Sequence, residues 1–224
     1  MNILIFARAP RRGTVRLALE PLLGVDGAVR AHAALLVHAV NWARALGPDG
    51  LYIAYEPADA GPEMTALLGE GLISFPQVGE GIAGRFRHAV GRVFEDHAGP
   101  VLIAWPDLAT LGPAHGEMAL ADLAKGADVV LGPVFDGGFY LLGLARPLPQ
   151  LFSLAEQAWR STSAVGLVLA SALRESRPPL DVGVLRVERA IHRPADVRAA
   201  LADPLLSPLL ARALGRGRPA PPPP

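Results

Sequence analysis

The fold class this sequence predicts is a three-layer α/β/α domain around a mostly parallel central sheet. Three observations predict it. Strand-like apolar runs alternate with helix-like stretches from Met1 to Pro133, the order that parallel strands joined by crossover helices require. The runs are apolar at successive residues, as strands covered on both faces are. The 224-residue length supports one full core and is short for two. One domain is expected over residues 1–214. Residues 215–224 (GRGRPAPPPP) form a Pro-rich tail, disordered or polyproline, that cannot build a core.

The elements follow in order. Met1–Ala7 (MNILIFA) reads as a central strand. Gly27–Leu46 is helical because Val29, Ala33, Leu36, Val40 and Ala43 recur at helical spacing, with Arg30, Asn41 and Arg44 off that stripe. His32 and His38 have no partner at ligand spacing there and read as helix-surface or packing residues. Leu51–Tyr55 is a strand, Glu63–Leu68 a short helix and Leu72–Phe75 a third strand. Phe86, Ala89, Val90, Val93 and Phe94 form the next helical stripe, followed by a strand at Val101–Trp105 and a helix at Pro113–Leu123. Asp128–Pro133 and Gly138–Leu144 are apolar runs that make a strand–turn–strand unit, building out one side of the sheet. Gln150–Trp159 and Ala164–Glu175 are helix-like, the second with Ser161-Thr162-Ser163 as its N-cap. Val182–Val187 is a late strand. Pro194–Leu201 and Leu205–Leu214 are helices, the last with Leu205, Leu206, Leu209 and Leu210 on one face.

Composition removes several classes of function. Lys+Arg and Asp+Glu both number 21 and the pI is about 7.0, so the chain has no overall electrostatic footprint for nucleic acid and no such partner is expected. The absence of cysteine excludes disulfides, thiolate metal sites and cysteine nucleophiles, and a reducing cytoplasm is the expected compartment. There is no basic-then-apolar leader pattern. No uncharged apolar stretch approaches the roughly 18–20 residues of a membrane span, so none is expected. Oligomeric state is not readable.

Four stretches carry candidate chemistry. Between Arg8 and Arg16, four arginines with Pro10 and Gly13 among them follow the first strand. Anionic ligands sit at the carboxyl ends of such strands, and guanidinium forks match phosphate oxygens in pairs; a solvated basic loop is the plainer reading. Gly79–Gly84 is a literal G-x-G-x-x-G, with Asp107 beyond the next strand, but Pro76-Gln77-Val78 separates the glycines from the strand before them. Asp107 can instead point into the ligand crevice and hold a divalent cation that bridges phosphates, or simply occupy a Pro-Asp turn. Asp136-Gly137-Gly138 brings a carboxylate to a bend where backbone can approach a metal, a hydroxyl or a sugar. The same pair is the commonest hairpin turn and needs no ligand for that.

Together these residues resemble a bacterial group of GT-A-like glycosyltransferases, within the nucleotide-diphospho-sugar transferase superfamily and related to cofactor-biosynthesis nucleotidyltransferases. Phe6-Ala7-Arg8-Ala9-Pro10 with Gly13, Val15, Arg16, Leu19, Pro21, Leu22, Leu23 and Gly24 is similar to that group's F-A-K-A-P-x-P-G-x-V-K-T-R-L-x-P-L-L-G opening. Gln77 and Arg85 resemble its Q-x-G-G-D-L-G-x-R segment, and Val101–His115 its strand ending in an aspartate, here Asp107. Leu131–Leu144 is close to V-L-G-P-x-x-D-G-G-Y-Y-L-x-G-L, and Trp159 with Ser161-Thr162 resembles W-S-T. The departures are as specific. Arg16-Leu17-Ala18-Leu19 lacks the second basic residue of K-T-R-L, Gly81 replaces an acid, and Trp105-Pro106 replaces Gly-Thr. Ala190 and His192 stand where two aspartates are usual.

The resemblance implies a metal-assisted transferase of the glycosyl or nucleotidyl type, using an activated nucleotide or nucleotide-sugar donor with Mg²⁺ or Mn²⁺. By the same resemblance Ala7, Arg8, Pro10, Gly13, Arg16, Gln77 and Arg85 bind the nucleotide phosphates, with Arg11 or Arg12 assisting. Asp107 holds the metal, with His192 as a softer, neutral second ligand. Asp136 serves as base, and Asp136, Gly137, Gly138, Tyr140 and Trp159 hold the acceptor or sugar, the two aromatics being equally readable as core. Two other readings stand beside it. One is a catalytically degraded relative that keeps a phosphate-ligand pocket and binds a partner; the other is an NAD(P)-binding oxidoreductase built on Gly79–Gly84.

Overall fold

The computed structural model describes residues 1–153, 168 and 178–215. Seven strands form one sheet: β1 (Asn2–Arg8), β2 (Gly50–Glu56), β3 (Ile73–Pro76), β4 (Val101–Ala104), β5 (Val129–Pro133), β6 (Phe139–Leu144) and β7 (Val182–Val184). Their order is β3-β2-β1-β4-β6-β5-β7. All neighbours run parallel except β6, which is antiparallel to both β4 and β5. Among the described residues the α-helices are α1 (Glu20–Ala45), α2 (Gly61–Leu68), α3 (Gly81–Asp96), α4 (Pro113–Ala124), α5 (Pro194–Leu201) and α6 (Pro208–Leu214). The chain runs outward from β1 through β2 to β3, then returns to place β4 on the other side of β1. That reversal opens a crevice beyond the carboxyl ends of β1 and β4, where open α/β sheets hold their ligands.

Strand alternation supplies both faces of the sheet. Ile3, Ile5 and Ala7 face a core shared with Leu36, Val40 and Trp42 of α1 and Ala119 and Leu123 of α4. Leu4 and Phe6 face the other way, into a core with Phe86, Val90 and Val93 of α3 and with Phe152. Phe6 and Phe86 stack with centroids 4.1 Å apart. Each fully buried side chain of this size contributes about 1.5–3 kcal/mol. A third cluster joins Leu19, just ahead of α1, and the outer side of α1 (Ala31, Leu35) to Ile191, Val197, Leu210 and Leu214.

That third cluster corrects the expected amphipathic helix, because α1 is buried on two sides. It begins at Glu20, earlier than expected, and Gly24 (φ 74°, ψ 166°) breaks its first turn. The helical stretch Leu17–Ala45 is long and apolar enough in composition to cross a membrane. Many of its apolar residues, Ala31, Leu35, Leu36 and Val40 among them, are packed against the sheet or against α5–α6, while Leu17 and Val25 are exposed. The late strand stops at Val184 rather than Val187. The last helix starts at Pro208, because the Ser207 hydroxyl caps the Leu210 amide at 3.3 Å. Leu205 therefore lies ahead of that helix and is 90% exposed, instead of on its buried face. Gln150–Trp159 is a short 3₁₀ turn over Pro149–Ser153 as far as it is described. The remainder of that segment, Ser161–Ser163 and Ala164–Glu175 lie outside the described residues, apart from the buried Val168.

Candidate functional site

Among the described residues, two cavities open at the carboxyl edge of the sheet. One, of about 200 Å³, sits in the β1–β4 crevice and is lined by Phe6, Ala7, Arg8, His32, Glu56, Gln77, Ile82, Arg85, Trp105, Pro106 and Asp107. The other, of about 590 Å³, lies beside the β5–β6 turn, with Phe135, Asp136, Gly137, Arg189, Ala190, His192, Arg193 and Asp196 among its walls. A row of four charged side chains connects them.

The row begins at Arg16, which ends the loop after β1 in the left-handed conformation (φ 50°, ψ 35°). Its guanidinium donates to the Ile191 carbonyl at 2.7 Å, the Pro106 carbonyl at 2.8 Å and Oδ1 of Asp107 at 2.5 Å. Only 7% of the Arg16 side chain is exposed, against 21% for Asp107. Nε2 of His192 stands 3.6 Å from Oδ2 of Asp107, and its Nδ1 hydrogen-bonds the Asp136 carboxylate. The fold fixes both ends. Ile191 N–H donates to the Asp107 carbonyl at 2.8 Å, and Gly137 (φ 89°) turns the chain so that Asp136 faces His192.

Electrostatics follow from this alternation of sign. Burial disfavours charge on Asp107, but the Arg16 guanidinium and the hydrogen bond and charge of His192 outweigh it and hold the carboxyl far below the usual range. The Asp107 carboxylate, 3.6 Å from Nε2, raises the His192 pKa to about 9 against the opposing effect of burial, with Asp136 adding to it. At neutral pH His192 is an imidazolium held between two carboxylates. His32 is the opposite case: burial and the nearby Arg16 charge lower it to about 4. It is a neutral ring that donates Nε2–H to the Arg8 carbonyl at 2.8 Å. Its Nδ1 is buried without a hydrogen-bond partner.

The structure thus brings Arg16, Asp107, His192 and Asp136 together, and sets Ala7, Arg8, Gln77 and Arg85 around the crevice. Gln77 donates its amide to the Ala7 and Ala54 carbonyls at 2.9 and 3.0 Å, leaving its oxygen buried without a partner. Arg8 and Arg85 share Glu56, with Arg8 Nε at 2.7 Å from Oε1 and Arg85 on Oε2. Two guanidinium groups on one carboxylate leave a net positive charge at the crevice mouth.

Other expected site residues stand elsewhere. Pro10 and Gly13 shape the loop and do not line the crevice. Arg11 pairs with Asp59 and Glu63, and Arg12 with Asp26, and neither lines the crevice. Gly138 lies behind the turn, its amide 3.4 Å from Oδ1 of Asp136. Tyr140 is not a wall of the Asp136 cavity. It is buried edge-on to His115, with its hydroxyl donating to the Arg186 carbonyl at 3.4 Å. Nearby, the unanticipated buried acid Glu188 pairs with His115 at 3.2 Å and with Arg186. Trp159 lies outside the described residues. Gly79–Gly84 is a packing device: a Cβ on Gly79 would stand 2.6 Å from the Gly84 backbone. Asp107, the acid a dinucleotide ribose would need, is already bonded to Arg16.

As placed, Asp107 and His192 do not present a metal-ligand set. Both ring nitrogens of His192 face carboxylates, and the other oxygen of Asp107 holds Arg16. Among the described residues no group of three His, Asp or Glu side chains converges on a metal position. The residues as placed do not fit Mg²⁺ or Mn²⁺, which need several free, convergent oxygen donors.

Crevice residues that sequence reasoning missed are His32, Glu56, Ile82 and Trp105. Trp105 was visible as the departure Trp105-Pro106, and its ring packs against Phe86 and Phe139 at 5.0 and 6.1 Å. His32 and Glu56 gave no local signal.

Residues 40–159 match the profile of a family described as uncharacterised proteins conserved in bacteria (DUF2064). No curated protein matches the chain. Among solved structures, a Desulfovibrio desulfuricans G20 protein provisionally described as a nucleotide-diphospho-sugar transferase is 24% identical, with a TM-score of 0.81 over 94% of this chain and 92% of its own. A cytidylyltransferase from Leptospira borgpetersenii is 12% identical, with a TM-score of 0.58 over 92% and 87% of the two chains. Rv0371C from Mycobacterium tuberculosis H37Rv, solved with manganese, is 18% identical, with a TM-score of 0.53 over 88% and 96%. At these identities the likeness establishes the fold, that of nucleotide-diphospho-sugar transferases and nucleotidyltransferases.

Proposed function

We propose that this chain, which belongs to the DUF2064 family, is a transferase that moves a group from an activated nucleotide donor to an acceptor hydroxyl. The observation that carries the reading is the row Arg16–Asp107–His192–Asp136, which runs from the crevice at the strand-order reversal to the larger cavity beside it. The fold is that of nucleotide-using transferases, and the row sits where that fold holds its ligands.

The donor nucleotide enters the β1–β4 crevice. Its phosphates meet the surplus charge of Arg8 and Arg85, and its base or ribose meets the Gln77 oxygen and the Trp105 ring. The acceptor occupies the 590 Å³ cavity with its hydroxyl on Asp136, which His192 orients through Nδ1. As the acceptor oxygen forms its bond, its proton passes to Asp136. Attack at the sugar carbon breaks its bond to the phosphate oxygen and releases the nucleoside phosphate; attack at the α-phosphorus breaks the P–O bond and releases inorganic diphosphate. Either leaving group departs toward Arg8 and Arg85. A metal, when bound in such enzymes, neutralises leaving-group charge; no step here depends on one.

A thermal-shift screen of nucleoside diphosphates, triphosphates and nucleotide sugars tests the reading. At least one ligand should stabilise the protein by about 2.7 kcal/mol when present at a hundred times its Kd, and Arg85→Ala should remove most of the shift. If no nucleotide moves the melting temperature, the reading fails. Binding without turnover on any acceptor hydroxyl would leave a nucleotide-binding protein in place of a transferase.

A further inference from the structure

We propose that Arg16 and His192 are built-in counter-cations that stand in place of a divalent metal, so that the donor nucleotide binds to this chain without one. The inference rests on the nucleotide reading of the β1–β4 crevice and goes beyond it, because a nucleotide-using fold with site carboxylates invites a metal.

The donor set carries the argument. A hard divalent cation needs several oxygen lone pairs converging on one point. Asp107 gives Oδ1 to Arg16 at 2.5 Å and turns Oδ2 toward His192 at 3.6 Å. Asp136 gives Oδ2 to His192, and its Oδ1 faces the Gly138 amide at 3.4 Å. Ala190, in the same wall, offers only a methyl group. The Arg16 guanidinium and an imidazole with both ring nitrogens turned to carboxylate oxygens thus already occupy the two acids. Arg16 is also not free to swing away, since both its Nη atoms are bonded and its side chain is 7% exposed.

Phosphate charge has its own partner. Arg8 and Arg85 converge on Glu56 and leave one positive charge uncompensated at the crevice mouth. A metal therefore finds no ligand set among these side chains. Replacing the imidazolium by a carboxylate should reverse this, since His192→Asp places a third acid beside Asp107 and Asp136 and removes the cation between them.

The test has three arms on the full chain. In the first, MnCl₂ alone is titrated into wild-type protein and followed by the electron paramagnetic resonance signal of free Mn²⁺; no binding is expected below millimolar concentration, and micromolar binding overturns the proposal. In the second, the best nucleotide of the screen is titrated by calorimetry in EDTA and again in MnCl₂. The two Kd values should agree within a factor of about two, and binding that appears only with MnCl₂ overturns the proposal. In the third, His192→Asp, checked for folding by circular dichroism, should bind Mn²⁺ at least about tenfold more tightly than wild type. A folded variant with no gain overturns the claim that the imidazolium holds the cation's place. If no nucleotide binds in either buffer, the donor reading fails on its own, while the Mn²⁺ titrations still decide this one.

Discussion

Arg16 is the residue on which the site turns. Among the described residues it alone combines a side chain with positive φ, a conformation that residues other than glycine, asparagine and aspartate rarely adopt. Three side-chain hydrogen bonds and the Leu19 amide on its carbonyl at 2.8 Å hold it there. A buried ion pair adds little net stability, because desolvation of both charges offsets their attraction, but orphaning one partner is expensive. Asp107→Ala should therefore lower the unfolding free energy by about 3–5 kcal/mol in urea titrations, while the double variant Arg16→Met, Asp107→Leu should recover most of that loss. A single-variant loss under about 1 kcal/mol would mean that the pair is effectively solvated. Asp107 was legible in the sequence as an acid closing an apolar strand. Arg16 and His192 were also legible by resemblance, as a phosphate ligand and a metal ligand. Their direct pairing with Asp107 was not, because they lie far from it along the chain and only the sheet's strand order brings them near. His32 was hidden for the same reason, as its environment comes from β1 and the loop after β4.

At the scale of elements, the turn between β5 and β6 works as one unit. Gly137 N–H donates to the Val134 carbonyl and Val134 N–H to the Gly138 carbonyl, both at 2.9 Å. Gly137 at φ 89° sets the direction in which Asp136 leaves the turn. Gly137→Val forces a β-branched residue into that conformation, at a cost of about 1–3 kcal/mol, and rotates the carboxylate away from His192. The expected signature is a split: acceptor KM rises at least about tenfold, a loss of about 1.4 kcal/mol, while nucleotide Kd from calorimetry stays at the wild-type value. Equal damage to both would place Asp136 in the nucleotide site instead. The Asp-Gly-Gly signal made this turn legible. Strand parity put Tyr140 elsewhere, since in β6 Phe139 joins the core under α3 and Tyr140 the core under α4. The last helix shows a similar miss: Ser207-Pro208 is a start signal that outranks the leucine stripe running through it.

Across the whole molecule, two histidines of opposite character shape the response to pH. His192 has its pKa raised to about 9, so the stability its protonation lends is complete below the unfolded value of 6.5 and is lost as pH rises through 9. His32 is lowered to about 4. The unfolded chain takes up a proton there below pH 6.5 that the folded chain refuses until about pH 4, so stability falls as pH falls across that window. His38, lowered by burial, acts in the same direction. Carboxylates held low in the fold, Asp107 foremost, add their own loss only below the ordinary value of 3.8. Melting temperature should therefore peak near neutrality and fall on both sides. The alkaline limb belongs to His192, which faces Asp107, Asp136 and Arg16. In His192→Gln the decline between pH 7 and 9 should flatten, while the decline below 6.5 remains. His32→Leu should do the reverse, flattening the limb between pH 6.5 and 4. Scans of both variants beside wild type at low salt decide it. An alkaline limb unchanged in His192→Gln would mean that the ring is neutral between the two carboxylates. The row would then lose its inner cation, and with it the reason why two acids can sit so close to one another in the fold.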